Sequence, residues 1–353
     1  MHTTPESHGH APQGRPNRSP KQLRHRRRAW LVGALAALCT VLLPGLTPPA
    51  GAEQLDPERS HTAYVTNGDT NTVSVISDGT VTATITVGSF PLGVAADPGR
   101  ARAYVTSPTD GTVSVIDTAS NSVVTTISTG TSPAEVAVDP GRARLYVTSR
   151  GDNTVRVINT NNNTEIATIP VYSQPTGVAV DPGRSRLYVT HQFDSAVSAI
   201  NTSTNTVIGS PIPVGNTPYG VAVDQRRHRA YVANLFDDNV SVINTNNNSV
   251  IGSPIPVGNL PQWVAVDPSR RRAYVTNRSD DNVSVINTNT NTVITTIPVG
   301  DDPQAVAVDV ARGLAYVANT EEDTVSVINT NTNTVIGSPV PVGDAPKRVA
   351  VVG

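Results

Sequence analysis

The chain has 353 residues, with 26 Lys and Arg against 28 Asp and Glu, a formal net charge of −2, and only 4% aromatic residues. Its single cysteine excludes an intramolecular disulfide framework and any zinc site built on several thiolates. Val, Thr, Asn, Gly and Pro are abundant and no helical period follows the N-terminal region, so strands joined by tight turns are expected.

The first segment differs from the rest. Arg24, Arg26, Arg27 and Arg28 precede an apolar run from Ala29 to Leu43, and Ala50-Gly51-Ala52 follows as an A-x-A cleavage site. The run is shorter than the roughly 20 residues that span a bilayer, and Pro44, Pro48 and Pro49 keep it from extending toward the cleavage site. Residues 1–52 are therefore expected to be a cleaved export signal, and residues 53–353 a secreted or envelope-associated domain with no membrane span. The Arg27-Arg28 pair resembles a twin-arginine signal, but no Ser or Thr precedes it and no Lys comes after it, which leaves the export route open. Cys39 lies inside the apolar run, so the exported chain has no thiol. Residues 1–52 hold seven basic residues and one acidic one; the remainder carries 19 basic against 27 acidic residues, a net charge of −8.

The rest of the chain is one motif repeated. Tyr64, Tyr104, Tyr146, Tyr188, Tyr231, Tyr274 and Tyr316, each followed by Val and then Thr or Ala, are 40 to 43 residues apart. Each repeat offers four short strands, as in Val264 to Asp267, Ala273 to Thr276, Val283 to Ile286 and Val293 to Val299. This is the period and content of a propeller blade, and seven copies predict an all-β, seven-bladed propeller of four-stranded antiparallel blades. The alanine in the middle of each V-A-V-D segment marks the innermost strand, where blades converge. Pro170, Pro213, Pro256, Pro298 and Pro341 mark the outermost, where a missing N–H is tolerated. The first repeat lacks an inner strand and the chain ends on Val349-Ala350-Val351, an inner strand without a blade, so the C-terminus is expected to close the ring by pairing with the N-terminal blade.

The recurrent Tyr-Val-Thr-Asn resembles the YVTN-repeat propellers, a family that includes YncE-like periplasmic proteins and archaeal surface-layer proteins. The resemblance covers residues 60–353. It implies an extracytoplasmic propeller. Some seven-bladed relatives resemble lactonases or lyases, but no motif of theirs can be carried onto this sequence.

Strand alternation gives the ring two faces. Bottom hairpins read Asp-Pro-Gly-Arg or a variant, and Arg100, Arg142, Arg184, Arg227, Arg270 and Arg312, with neighbouring arginines, are expected to form a basic ring there. Top loops carry acids, among them Asp69, Asp110, Asp152, Asp194, Asp237, Asp238, Asp323 and Asp344, expected to hydrogen-bond the backbone of their own turns. No cofactor and no metal site is expected. Were a cation to bind, the doublets Asp280-Asp281 and Asp301-Asp302 would supply its ligands.

Because the repeat builds the ring, function is expected where its copies differ. After the seven top prolines the copies diverge, and Glu135, Tyr219, Gln262, Trp263, Gln304, Lys347 and Arg348 are expected to line the channel mouth as a ligand site, with Tyr172, Gln174, His191, Phe193, Phe236 and Arg278 extending it outward. Alternatively these side chains plug the channel. His61, His191 and His228 fall at the chain start, a top loop and a bottom turn and cannot share a metal or a proton. An acidic protein with an acidic top makes nucleic acid a disfavoured partner. The expected function is binding of a protein, glycan or small molecule through the top face of a monomer. The alternatives are an extracellular lyase or lactonase-like enzyme, and a structural envelope component.

Overall fold

In the computed structural model, residues 62–352 are described; the export signal expected in residues 1–52, and His61, lie outside them. Seven antiparallel sheets stand radially around an axis. The first blade pairs Thr62–Asn67, Thr72–Ser77 and Thr80–Thr86 with the C-terminal strand Pro346–Val352 as its innermost member. Thr62 faces Val352 and Val65 faces Val349, so the ring closes non-covalently as expected. Blades 2 to 7 occupy residues 94–128, 133–170, 175–213, 218–256, 261–298 and 303–341, each running from the axis outward. The inner strands of blades 3 to 7 begin at the top proline, earlier than V-A-V-D alone indicates, as in Pro261–Asp267, with a register shift just after the proline.

Stability comes from between the blades. The second and third strands, such as Arg272–Asn277 and Asn282–Asn287, are buried over their central residues because each blade is covered on both faces. Tyr274, Val283, Val285 and Ile297 of blade 6 pack on Val306, Ala315, Val317 and Ile328 of blade 7. The same layer recurs around the ring and crosses the seam, where Tyr316 and Val325 of blade 7 meet Ala63, Ile76 and Val349. Each buried Val or Ile contributes about 1.5–3 kcal/mol.

The repeat's polar residues are stitches. In four repeats the tyrosine hydroxyl donates into the next blade, from Tyr64 to Asn121 Oδ1 (2.7 Å), from Tyr188 to Asn248 Oδ1 (2.9 Å), and likewise from Tyr231 and Tyr274. These asparagines sit in the left-handed region, at φ 51° and 59°, which asparagine tolerates better than most residues. The threonine hydroxyl donates to the next blade at or just before its inner strand, from Thr66 to the Leu92 carbonyl (2.7 Å) and from Thr190 to the Tyr219 carbonyl (2.7 Å). The asparagine amide holds its own blade, from Asn277 Nδ2 to Ser284 Oγ (2.8 Å).

In blades 4, 5 and 7 the outer strand is split. Thr206–Val207 and Ile212–Pro213 flank Ile208-Gly209-Ser210-Pro211, one residue longer than the Ile294-Thr295-Thr296 segment at the same place in blade 6. The extra residue bulges out at Gly209, φ 64°. The five outer-strand prolines are all exposed at the ring's periphery, where they interrupt edge pairing.

Candidate functional site at the channel mouth

The two faces differ in how their charges are used. On the bottom, the aspartate ending the inner strand of blades 2 to 7 is buried and pairs with the hairpin arginine, as in Asp267–Arg270 (3.0 Å) and Asp224–Arg227 (3.1 Å). The same guanidinium reaches the next blade: Arg270 donates to the Val310 carbonyl (3.0 Å) and to Asn331 Oδ1 (2.6 Å). Arg100, Arg142, Arg184 and Arg312 make the corresponding ion pairs. Within the basic ring expected from the sequence, Arg100, Arg142, Arg184, Arg227 and Arg270 therefore act as latches to the next blade.

On the top, the carboxylates cap crossover loops rather than their own turns. Asp280 accepts from the Asn259 N–H (2.8 Å) and Asp237 from the Asn216 N–H (2.8 Å), each in the crossover leading into its own blade. The next residue serves the crossover on the other side: Asp281 accepts from the Asp302 N–H (3.1 Å) and Asp238 from the Leu260 N–H (2.9 Å). The doublets Asp237-Asp238 and Asp280-Asp281 thus each cap two crossovers, whereas Asp301-Asp302 lies in a crossover itself. Asp302 also holds Arg278 through two hydrogen bonds of 2.6 and 3.1 Å and accepts from Gln304 Nε2 at 2.9 Å. Among the described residues no three metal-ligating side chains converge.

Inside the mouth, the second position after each top proline reads Gly93, Glu135, Gly177, Gly220, Trp263, Ala305 and Arg348. Three large side chains fill the space that three glycines and an alanine leave. A Cβ on Gly93 would stand 3.0 Å from Glu135 Oε2, and one on Gly220 2.9 Å from the Trp263 ring. Arg348, on the ring-closing strand, reaches across the axis. Only 2% of it is exposed, its Nε donates to Glu135 Oε1 at 2.6 Å, and its guanidinium lies 4.1 Å from the Trp263 ring centroid and 5.5 Å from that of Tyr219. This plug gives the mouth a floor.

Arg150, which the comparison of sequence repeats did not single out, completes the cluster. It sits in the top loop of blade 3 and donates from Nη2 to the Tyr219 hydroxyl (3.1 Å), with its guanidinium 5.7 Å from that ring. The signal was present, since the residue after Tyr-Val-Thr-Ser or its equivalent is Gly68, Pro108, Gln192, Leu235 or Thr320 in five sibling repeats and arginine only in blades 3 and 6. Burial raises the Glu135 carboxyl above its ordinary range, against the pull of Arg348 and Arg150. Burial also acts to raise the Tyr219 phenol, but Arg150 and Arg348 override it and hold the phenol below its usual 10.0.

The remaining candidates lie farther out. Lys347 stands on the rim, 5.8 Å from the Phe90 ring, and partial burial lowers its ammonium pKa against the attraction of Asp69 and Asp302. Gln262 is buried and its Oε1 has no hydrogen-bond partner. Tyr172 packs edge-on against His191 at 5.7 Å. His191, expected in a top loop, is the fully buried last residue of Arg186–His191 and replaces the repeat's asparagine. Phe193 and Phe236 project from top loops, 75% and 60% exposed. Every described aromatic residue outside the repeated tyrosines, namely Phe90, Tyr172, Phe193, Tyr219, Phe236 and Trp263, belongs to a top loop or the mouth. A separate groove of about 690 Å³ between the outer strands of blades 4 and 5 shares no lining residue with the mouth.

Fold and site together define a seven-bladed β-propeller whose channel mouth is plugged by Glu135, Trp263 and Arg348. Over residues 62–207 the chain matches the family model described as lactonase, 7-bladed beta-propeller. A search of curated protein sequences found no match. Among solved structures, a functionally unknown protein from Desulfotomaculum acetoxidans is similar at 19% identity and a TM-score of 0.73, over 83% of this chain and 99% of that one. Hydrazine synthase of Kuenenia stuttgartiensis is similar at 19% identity and 0.69, over 76% and 92%. The apo form of AztD from Citrobacter koseri is similar at 14% identity and 0.65, over 83% and 98%. At these identities the likeness is one of fold.

Proposed function

We propose that this protein is an exported binding module that engages a macromolecular partner, protein or glycan, through the top face of the ring. The observation that carries this reading is the sorting of its aromatic residues. Seven tyrosines are spent on the repeat, and every other described aromatic ring stands on one face, with Phe193 and Phe236 largely exposed. Large exposed aromatic side chains gain little from the fold and are a common anchor for a partner. The described bottom face offers no aromatic residue of this kind, and its six hairpin arginines are engaged with buried aspartates, five of them also with the next blade. The leader-like residues 1–52 and a domain without thiols support export. A binding screen comparing the native chain with a Phe193→Ser/Phe236→Ser variant tests this reading: the variant should keep its melting temperature and lose the interaction.

A second reading is a hydrolase acting on lactones. It is favoured by the family match over residues 62–207 and by a raised carboxyl, Glu135, within one network with a phenol held low, Tyr219. Turnover of a lactone panel that disappears in Glu135→Gln would support it, and an inert panel would remove it.

A further inference from the structure

We infer that the floor of the channel mouth binds a small carboxylate, held between the guanidinium groups of Arg150 and Arg348. The site is distinct from the outer aromatic crest and stands or falls independently of it.

The cluster, buried at Glu135 and Arg348 and half-buried at Arg150 and Tyr219, has an excess of positive charge. It contains two guanidinium groups and one carboxyl group, Glu135, around the Tyr219 side chain. A net positive charge away from water is costly unless a counter-charge reaches it. Lys347 at the rim adds a third cation, facing Asp69 and Asp302, of which Asp302 is already engaged by Arg278.

Donor geometry points the same way. Arg348 spends Nε on Glu135 and Nη1 on the Lys347 carbonyl, and its buried Nη2 has no partner. Arg150 spends Nη2 on the Tyr219 hydroxyl, and its Nε has none. Both guanidiniums lie within 6 Å of the same Tyr219 ring, at 5.5 and 5.7 Å. Guanidinium forks match the planar oxygen pair of a carboxylate. The Trp263 and Tyr219 faces bound the cluster with apolar surface for the acid's carbon skeleton. The phenol held low by both arginines is a further sign that the cluster is short of negative charge.

The carboxylate can belong to a free organic acid or to the C-terminus of a peptide, and the test separates them. The full chain is titrated with benzoate, with lactate, and with a tripeptide carrying either a free or an amidated C-terminus. Chloride and sulfate at matched ionic strength serve as controls, and binding is read by calorimetry and melting temperature. A saturable response to benzoate or lactate assigns a free acid; one to the free but not the amidated peptide assigns a terminus. Either supports the site. Arg150→Met, chosen because it preserves side-chain bulk and leaves the Arg348–Glu135 pair intact, should weaken binding about tenfold or more, the worth of one charge-assisted hydrogen bond. Phe193→Ser/Phe236→Ser should leave it unchanged. A carboxylate response no larger than that to sulfate and chloride, or undiminished affinity in a folded Arg150→Met protein, would overturn the inference.

Discussion

Replacing His191 with asparagine, the residue at the same place in four sibling repeats, should remove a step of acid sensitivity from the ring. Asn67, Asn234, Asn277 and Asn319 each donate to a serine hydroxyl of the adjacent strand at 2.8 to 2.9 Å. His191 keeps that geometry, with Nε2 2.8 Å from Ser198 Oγ, while Nδ1 faces the Tyr172 carbonyl at 3.1 Å. A nitrogen facing a carbonyl must donate, so the neutral ring carries its proton on Nδ1 and accepts from Ser198 at Nε2. Burial opposes a second proton and lowers the pKa from 6.5 to about 4, although Asp194 attracts the cation. As pH falls from 6.5, the unfolded chain takes up a proton that the folded ring refuses until about pH 4. The unfolded state then binds more protons, so stability drops through this window and levels off below it. At 1.36 kcal/mol per pH unit the full loss is about 3 kcal/mol, and about 2 kcal/mol is reached by pH 5. Urea unfolding of native and His191→Asn proteins at pH 7, 5 and 4 provides the assay, because the carboxylates titrate in both and cancel. The variant should gain about 2 kcal/mol on the native protein between pH 7 and pH 5; parallel stability curves would refute the burial of a neutral His191.

Deleting residues 346–352 should open the ring, removing the inner strand of blade 1 and with it Arg348. Burial of Val349 and Ala350 alone is worth about 3 kcal/mol, so a truncated protein that melts like the native chain would refute the closure. Gly177→Ala should destabilise by about 1–3 kcal/mol, because a Cβ there overlaps the Tyr219 carbonyl oxygen of the neighbouring inner strand; unchanged unfolding would show that blades 4 and 5 are less tightly joined at the axis.

How far the sequence could be read depended on whether a residue's partner lies inside the repeat. The blade, its strand order, the outer position of the prolines and the closing strand were all legible, because each arises from periodicity or from comparing copies. Stitches between blades were not. Tyr64 to Asn121 spans 57 residues, and nothing in the sequence pairs a tyrosine with a turn in the following copy. The bottom arginines looked like a basic surface because their buried aspartates occur in the same hairpins without marking which carboxylate faces inward. The Asp280-Asp281 doublet read as a candidate cation site, and nothing within one repeat showed that its two carboxylates serve the crossovers on either side. At the mouth, divergence among copies located Glu135, Trp263 and Arg348, but not that they meet across the axis to form a floor. That depends on Gly93, Gly177 and Gly220 yielding space, a complementarity between residues on different blades.

Binding through the top face is tested most directly by a thermal-shift panel on the full chain. It sets cell-wall fragments, oligosaccharides, extracellular proteins, lactones and single-stranded DNA against the native protein and Phe193→Ser/Phe236→Ser. A top-face module predicts that a protein or glycan class raises the native melting temperature and leaves the double variant, equally stable when unliganded, unmoved. The contradicting result is a panel in which no protein or glycan stabilises the native chain, or in which the double variant responds just as strongly.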